Sequence, residues 1–234
     1  MELLVAETKE QQKQVWDMRK VGLGIFTSRP GDFKSLSFIE DLAVPIDRLG
    51  YFVGELERIM AAHGVICNIY GHASSGCLHI RPLLNIKSKE GRSSLRSIAD
   101  QAIALALSLG GAISGEHGDG IARSGWIERE FGSEIYGLFR QIKQAADPGN
   151  LLNPGRKVES AAVDADLRPV PELRSQDWKP VFAYANQINF LGAVEMCSGA
   201  GVCRKAEGVM CPSFQALNDE AFSTRGRANL LRAM

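Results

Sequence analysis

His72 and His79 bracket a small polar stretch in Gly71-His-Ala-Ser-Ser-Gly-Cys-Leu-His-Ile, and Glu116 and His117 stand side by side in Gly115-Glu-His-Gly-Asp-Gly. Neutral imidazole nitrogen and carboxylate oxygen are the donors that divalent zinc, manganese or iron take. A catalytic centre of this kind uses about three protein ligands and leaves a position open. His72, His79 and Glu116 meet that count if the fold joins them. His117 is then left to act as a general base, because imidazole titrates near neutrality and a neighbouring cation tunes it. Glycines at 115, 118 and 120 let the backbone approach a ligand closely. Taken singly, each histidine is also consistent with a structural role and the Glu-His turn with a plain loop. His63, alone at a helix end, reads as structural.

The elements that must position these groups follow from periodicity and punctuation. Val15, Met18 and Val21 recur at helical spacing over 10–21, after which Gly22 and Gly24 loosen the chain. Residues 37–44 read as a strand closed by Pro45. A helix capped by Asp47 then runs to about 63 on the stripe Leu49, Phe52, Val53, Leu56 and Ile59. Two β-rich runs, 65–70 and 78–83, are separated by 71–76 and suit a hairpin that sets His72 opposite His79. Residues 93–109 are helical and end at Gly110-Gly111, a short strand at 112–114 enters the Glu-His turn, and a helix over 130–146 stops at Asp147-Pro148-Gly149. Residues 159–179 have linker composition. The pattern predicts α+β, a sheet covered by helices on one face.

With 234 residues, 45% hydrophobic and 23% charged, the chain has room for one core and a smaller appendage. Lys plus Arg and Asp plus Glu balance at 27 each, so no global field draws it to nucleic acid or an anionic membrane. The most apolar helical stretch, 98–109, is interrupted by Asp100, Gln101 and Ser108, so no transmembrane segment is expected. The five cysteines are irregularly spaced, with three crowded near the C-terminus; this argues against a disulfide framework and for a cytoplasmic protein with a metal or cluster site.

The Gly-His-(six residues)-His motif, the Gly-Glu-His-Gly-Asp-Gly turn and Asp147-Pro-Gly-Asn-Leu-Leu-Asn-Pro-Gly155, in that order, resemble the C-terminal domain of the FAD-linked oxidases. That group, in the vanillyl-alcohol-oxidase superfamily, includes D-lactate, glycolate and D-2-hydroxyglutarate dehydrogenases. The resemblance covers roughly 1–158. It implies a ferredoxin-like antiparallel sheet with helices that roofs a flavin held mainly by an upstream FAD-binding domain of the same protein. It also implies a divalent metal, usually zinc, with manganese or iron possible, on His72, His79 and Glu116, and His117 as catalytic base. Arg19, in Trp16-Asp-Met-Arg-Lys, matches an arginine that grips a substrate carboxylate, although by position alone it equally suits a solvated helix face. Asn153 falls where the family approaches the flavin. Some relatives carry a lysine where this chain has Glu40, and Phe38-Ile-Glu-Asp-Leu-Ala-Val-Pro resembles the large bacterial members that fuse flavin and iron–sulfur portions.

Cys197, Cys203 and Cys211-Pro212 resemble the iron–sulfur extension of those fused enzymes. Ala200 stands where a second cysteine belongs, so three local thiolates fall one short of four. Either a cysteine beyond Met234 completes a cluster or the segment is vestigial; Cys67 and Cys77 read as buried apolar residues. The organisation expected is a substrate and metal domain over 1–158, a linker over 159–186, and the start of a small helical iron–sulfur segment over 187–234. The function expected is that of a piece of a D-2-hydroxyacid dehydrogenase, inactive alone, with small hydroxyacid substrates and an unspecified electron acceptor. The rival is a non-catalytic metal-binding or assembly module of a multi-subunit flavoprotein.

Overall fold

The computed structural model of the chain describes residues 5–165, 167 and 179–234. Its elements are α1 (Lys9–Thr27), β1 (Lys34–Ser35), β2 (Leu42–Ala43), α2 (Leu49–Ala62), β3 (Cys67–His72), β4 (Cys77–Leu84), α3 (Lys89–Ser108), α4 (Gly120–Arg123), α5 (Ile127–Ala146), α6 (Phe190–Val194), α7 (Pro212–Leu217) and α8 (Thr224–Ala233). They fall into two compact units, 32–170 and 1–31 with 171–234. Most of the linker expected around 159–179 lies outside the described residues.

In the unit 32–170, β4 is the central strand. It pairs antiparallel with β3 from Cys77 to Pro82, with β1 at Ser35↔Leu83 and Lys34↔Leu84, and with β2 at Leu42↔Leu78 and Ala43↔Cys77, while Ala112 bridges to Ala43 beyond β2. Strand, helix, hairpin, helix and a last bridging residue, with the spatial order Ala112, β2, β4, β3, form the ferredoxin-like plan expected. Alternation along β4 sends Leu78, Ile80 and Leu84 into a core with Phe52, Leu56 and Met60 of α2 and Leu95, Ile98, Ala102 and Ile103 of α3. Cys77, His79 and Arg81 therefore project from the opposite face.

Three sequence expectations are corrected here. Only Leu42 and Ala43 of the run 37–44 join the sheet, because Asp41 has φ 80° and breaks the extended backbone. Helix α3 starts at Lys89, since Ser88 accepts the Gly91 N–H at 2.9 Å and caps it there. Helix α5 starts at Ile127 and is interrupted at Gly132, with φ 79°.

In the other unit, α1 runs through Gly22 and Gly24 to Thr27, past the loosening expected there. A reciprocal cap explains the start, with Gln11 N–H donating to Thr8 Oγ1 at 3.2 Å and Thr8 N–H to Gln11 Oε1 at 3.0 Å. Each glycine costs about 1 kcal/mol against alanine, which does not end a helix of 19 residues. Ser223, fully buried, caps α8 through Gly226 N–H at 2.9 Å. Among the described residues no helix is long and apolar enough to cross a membrane.

Candidate metal and catalytic site

The β3–β4 hairpin sets the first two histidines. His72 pairs with Cys77 and Tyr70 with His79, so His72, Tyr70, Cys77 and His79 share one face of the sheet. The hairpin tip is pressed against β2's exit: Gly76 has φ 68°, and a Cβ on it would lie 1.9 Å from Val44 O. The His72 and His79 rings meet edge to face with centroids 5.4 Å apart.

The Glu-His turn is held by a residue that the sequence did not single out. Asp41, fully buried, accepts the Ser114 hydroxyl at 2.6 Å, the Glu116 N–H at 2.9 Å, the His117 N–H at 2.8 Å and the Cys77 thiol at 3.3 Å. Burial opposes its charge, but these hydrogen bonds outweigh that and hold the carboxyl below its ordinary range. Gly115 donates its N–H to Asp41 O at 2.8 Å and passes beside Cys77, where an added Cβ would be 3.0 Å from the sulfur. Burial also pushes the Cys77 thiol up to about 12 and that of Cys67 to about 11, as suits packed thiols.

The turn delivers Glu116 to the histidines. Glu116 Oε1 lies 3.4 Å from His72 Nε2, 3.1 Å from His79 Nε2 and 3.3 Å from His117 Nε2. The donor atoms of His72, His79 and Glu116 all fall within 4.8 Å of one another. The residues fit a divalent ion: two nitrogens and one carboxylate oxygen converge, and burial lowers the His79 pKa, against the pull of Glu40, toward the neutral ring that ligates. Among the described residues, His79 Nδ1 is buried with no hydrogen-bond partner.

Behind this group stand residues that the sequence reading missed. Glu40, 5% exposed, has Oε1 3.6 Å from His79 Nδ1 and 3.8 Å from His117 Nδ1. Arg81 Nη2 contacts both its oxygens, at 2.7 and 2.6 Å. Buried Arg123 donates to the Glu40 and Gly118 carbonyls and so ties the two segments together. The available signal was an acidic pair inside the apolar run Phe38-Ile-Glu-Asp-Leu-Ala-Val, since carboxylates buried in such a run need dedicated partners.

Asn153, at φ 48°, lines with Glu116, Gly118, Glu130 and Lys157 a cavity of about 1030 Å³. Asp147 shapes the loop that carries it, accepting Leu151 N–H at 3.0 Å and Leu152 N–H at 2.8 Å. The side chain of Arg19 lies outside the described residues. His63, expected to be structural, has its Nε2 3.3 Å from Ser97 Oγ and 3.0 Å from Gln101 Nε2.

In the other unit, Cys203 Sγ accepts the Arg225 N–H at 3.4 Å, and Cys211 Sγ accepts from Thr224 Oγ1 at 3.7 Å. The Phe214 N–H, ahead of smaller contributions, brings the Cys211 thiol down to about 7. Cys197 is half-buried, and its carbonyl accepts from Arg232 at 2.9 Å.

Comparison with known proteins gives the chain's family. The chain is 32% identical over 222 residues to the D-2-hydroxyglutarate dehydrogenase of Escherichia coli, covering 94% of this chain and 22% of that protein. It is 33% identical over 232 residues to the enzyme of that name from Pseudomonas putida, covering 97% and 23%. It is also 29% identical over 167 residues to the glycolate oxidase subunit GlcD of Bacillus subtilis, covering 71% and 34%. The chain thus spans under a quarter of the length of the D-2-hydroxyglutarate dehydrogenases it matches. Residues 1–157 match the family described as FAD linked oxidases, C-terminal domain, and the chain belongs to that family.

Proposed function

We propose that this chain supplies the substrate and metal site of a flavin-dependent dehydrogenase of D-2-hydroxyacids, of the lactate, glycolate or 2-hydroxyglutarate kind. The observation that carries this reading is the approach of three imidazole Nε2 atoms to one oxygen of Glu116, at 3.1–3.4 Å. His72, His79 and Glu116 would hold the divalent ion, zinc by the character of its donors. Bound there, the ion supplies Lewis-acid stabilisation of charge on the substrate oxygens, and the flavin supplies the hydride acceptor.

His117 takes the hydroxyl proton on Nε2. Its side chain is 47% exposed, against 39% for His72 and 4% for His79, which makes it the most open of the three rings to a substrate. Arg19 would pair with a substrate carboxylate, and Asn153 would approach the flavin held by an upstream domain of the same protein. Five free thiols support a cytoplasmic setting. For an iron–sulfur cluster the fit is incomplete: Cys197, Cys203 and Cys211 are three ligands where four are needed.

The test is anaerobic mixing of the full-length flavoprotein with D-lactate, glycolate and D-2-hydroxyglutarate, with zinc content measured alongside. Flavin bleaching by one of them, lost on chelation and restored by zinc, is expected. Bleaching that is indifferent to chelation and to His117→Ala would leave the chain a non-catalytic module.

A further inference from the structure

We propose that Glu40 is a positioning residue that fixes one tautomer on two rings at once, accepting Nδ1–H from His79 and from His117 and so leaving both Nε2 atoms bare toward Glu116. The proposal deepens the metal-site reading and rests on it. His79 and His117 are stacked, with centroids 5.0 Å apart and planes 15° from parallel, and their distances to the two carboxylates show that like nitrogens point the same way. One side of the stack meets Glu116 Oε1 through the two Nε2 atoms, and the other meets Glu40 Oε1 through the two Nδ1 atoms.

An imidazole that ligates through Nε2 carries its proton on Nδ1, and that proton needs an acceptor. Within the described residues His79 Nδ1 has no hydrogen-bond partner, and the acceptor that faces it is Glu40 Oε1, at 3.6 Å. Glu40 is itself immobilised, its carboxylate held by Arg81 and its carbonyl by Arg123. Glu40, His79 and His117 also make a group compact enough for a cation. The Arg81 guanidinium, 2.6 Å from the same carboxylate, already supplies the positive charge and repels a second ion. The pair therefore belongs to the positioning shell.

The tautomers are read directly on the metal-free 234-residue chain, labelled with 15N-histidine, from two-bond proton–nitrogen couplings of the rings. Nδ1–H is expected on both His79 and His117, and Nε2–H on either overturns the proposal. Zinc affinity is then measured by chelator competition for the parent, Glu40→Ala and Glu40→Gln. A loss of about 10–100-fold is expected for alanine, with a smaller loss for glutamine, which keeps an acceptor oxygen. Affinity within about twofold of the parent in a folded Glu40→Ala chain overturns it. If alanine prevents folding, the parent's tautomers and the glutamine variant decide. A parent that binds no zinc refutes the metal-site reading, while its ring spectra still judge the role of Glu40.

Discussion

His79 and His117 stack with centroids 5.0 Å apart, yet the side chain of one is 4% exposed and that of the other 47%. Burial thus separates two rings that share the same carboxylate neighbours. The enclosed ring suits permanent ligation, and the open one suits proton exchange with a substrate. His79→Ala is expected to weaken zinc binding by roughly two orders of magnitude or more. His117→Ala is expected to leave zinc affinity within about threefold while slowing flavin reduction in the full-length enzyme by about 10²–10⁴-fold. Chelator competition and stopped-flow bleaching measure the two effects; equal losses of zinc in both variants would contradict this division.

Asp41 gathers donors from three places in the chain, and an amide cannot replace it. Asn offers one acceptor oxygen and turns an N–H₂ toward backbone donors. Asp41→Asn is expected to cost about 1–3 kcal/mol for each donor left unpaired. Because the folded carboxyl is held below its unfolded value of 3.8, its contribution is complete above that value and is lost as the pH falls through the lower folded one. Urea unfolding at neutral and at acid pH should show the gap between parent and variant closing only on the acid side.

At the hairpin tip, backbone geometry and space can be separated. Gly76→Ala meets both a left-handed φ of 68° and the Val44 carbonyl at 1.9 Å, and should cost about 3 kcal/mol. Gly64, at φ 63° with nothing within 4 Å, should lose only about 1 kcal/mol when changed to alanine. Comparable losses in thermal or urea unfolding would show that the Val44 contact relaxes freely.

Asp147 is held by Lys143 first and then by the Leu151 and Leu152 N–H groups, which together bring its carboxyl down to about 2. Its contribution is present above the ordinary value of 3.8 and disappears as the pH falls through about 2. The stability difference between the parent and Asp147→Asn should accordingly be constant from neutral pH to about 4 and shrink below it, as denaturant titrations at several pH values will show.

The hairpin and the helices that flank it were legible because turn glycines and apolar stripes act over a few residues. His72, His79, Glu116 and His117 were legible as chemistry for the same reason: their types and motifs are local. Glu40 and Asp41 were hidden inside a run that reads as a strand. Their partners lie 36 to 83 residues away, at distances where no periodicity reports a contact. The start of α3 at Lys89 was marked by Ser88, but the apolar stripe, weaker in its first turn, obscured it.

The span of Asp41's contacts also orders events on the ribosome. Its first partner, Cys77, follows 36 residues later, while Ser114, Glu116 and His117 follow after 73 to 76. At synthesis rates of about 5–20 residues per second, roughly 4–15 s separate this acid from its last partner. Until then the nascent segment around it stays hydrated, because closing the interior over a lone charge is unfavourable. A polypeptide interrupted ahead of residue 114 therefore carries both hairpin imidazoles with no fixed seat for the turn that completes the centre.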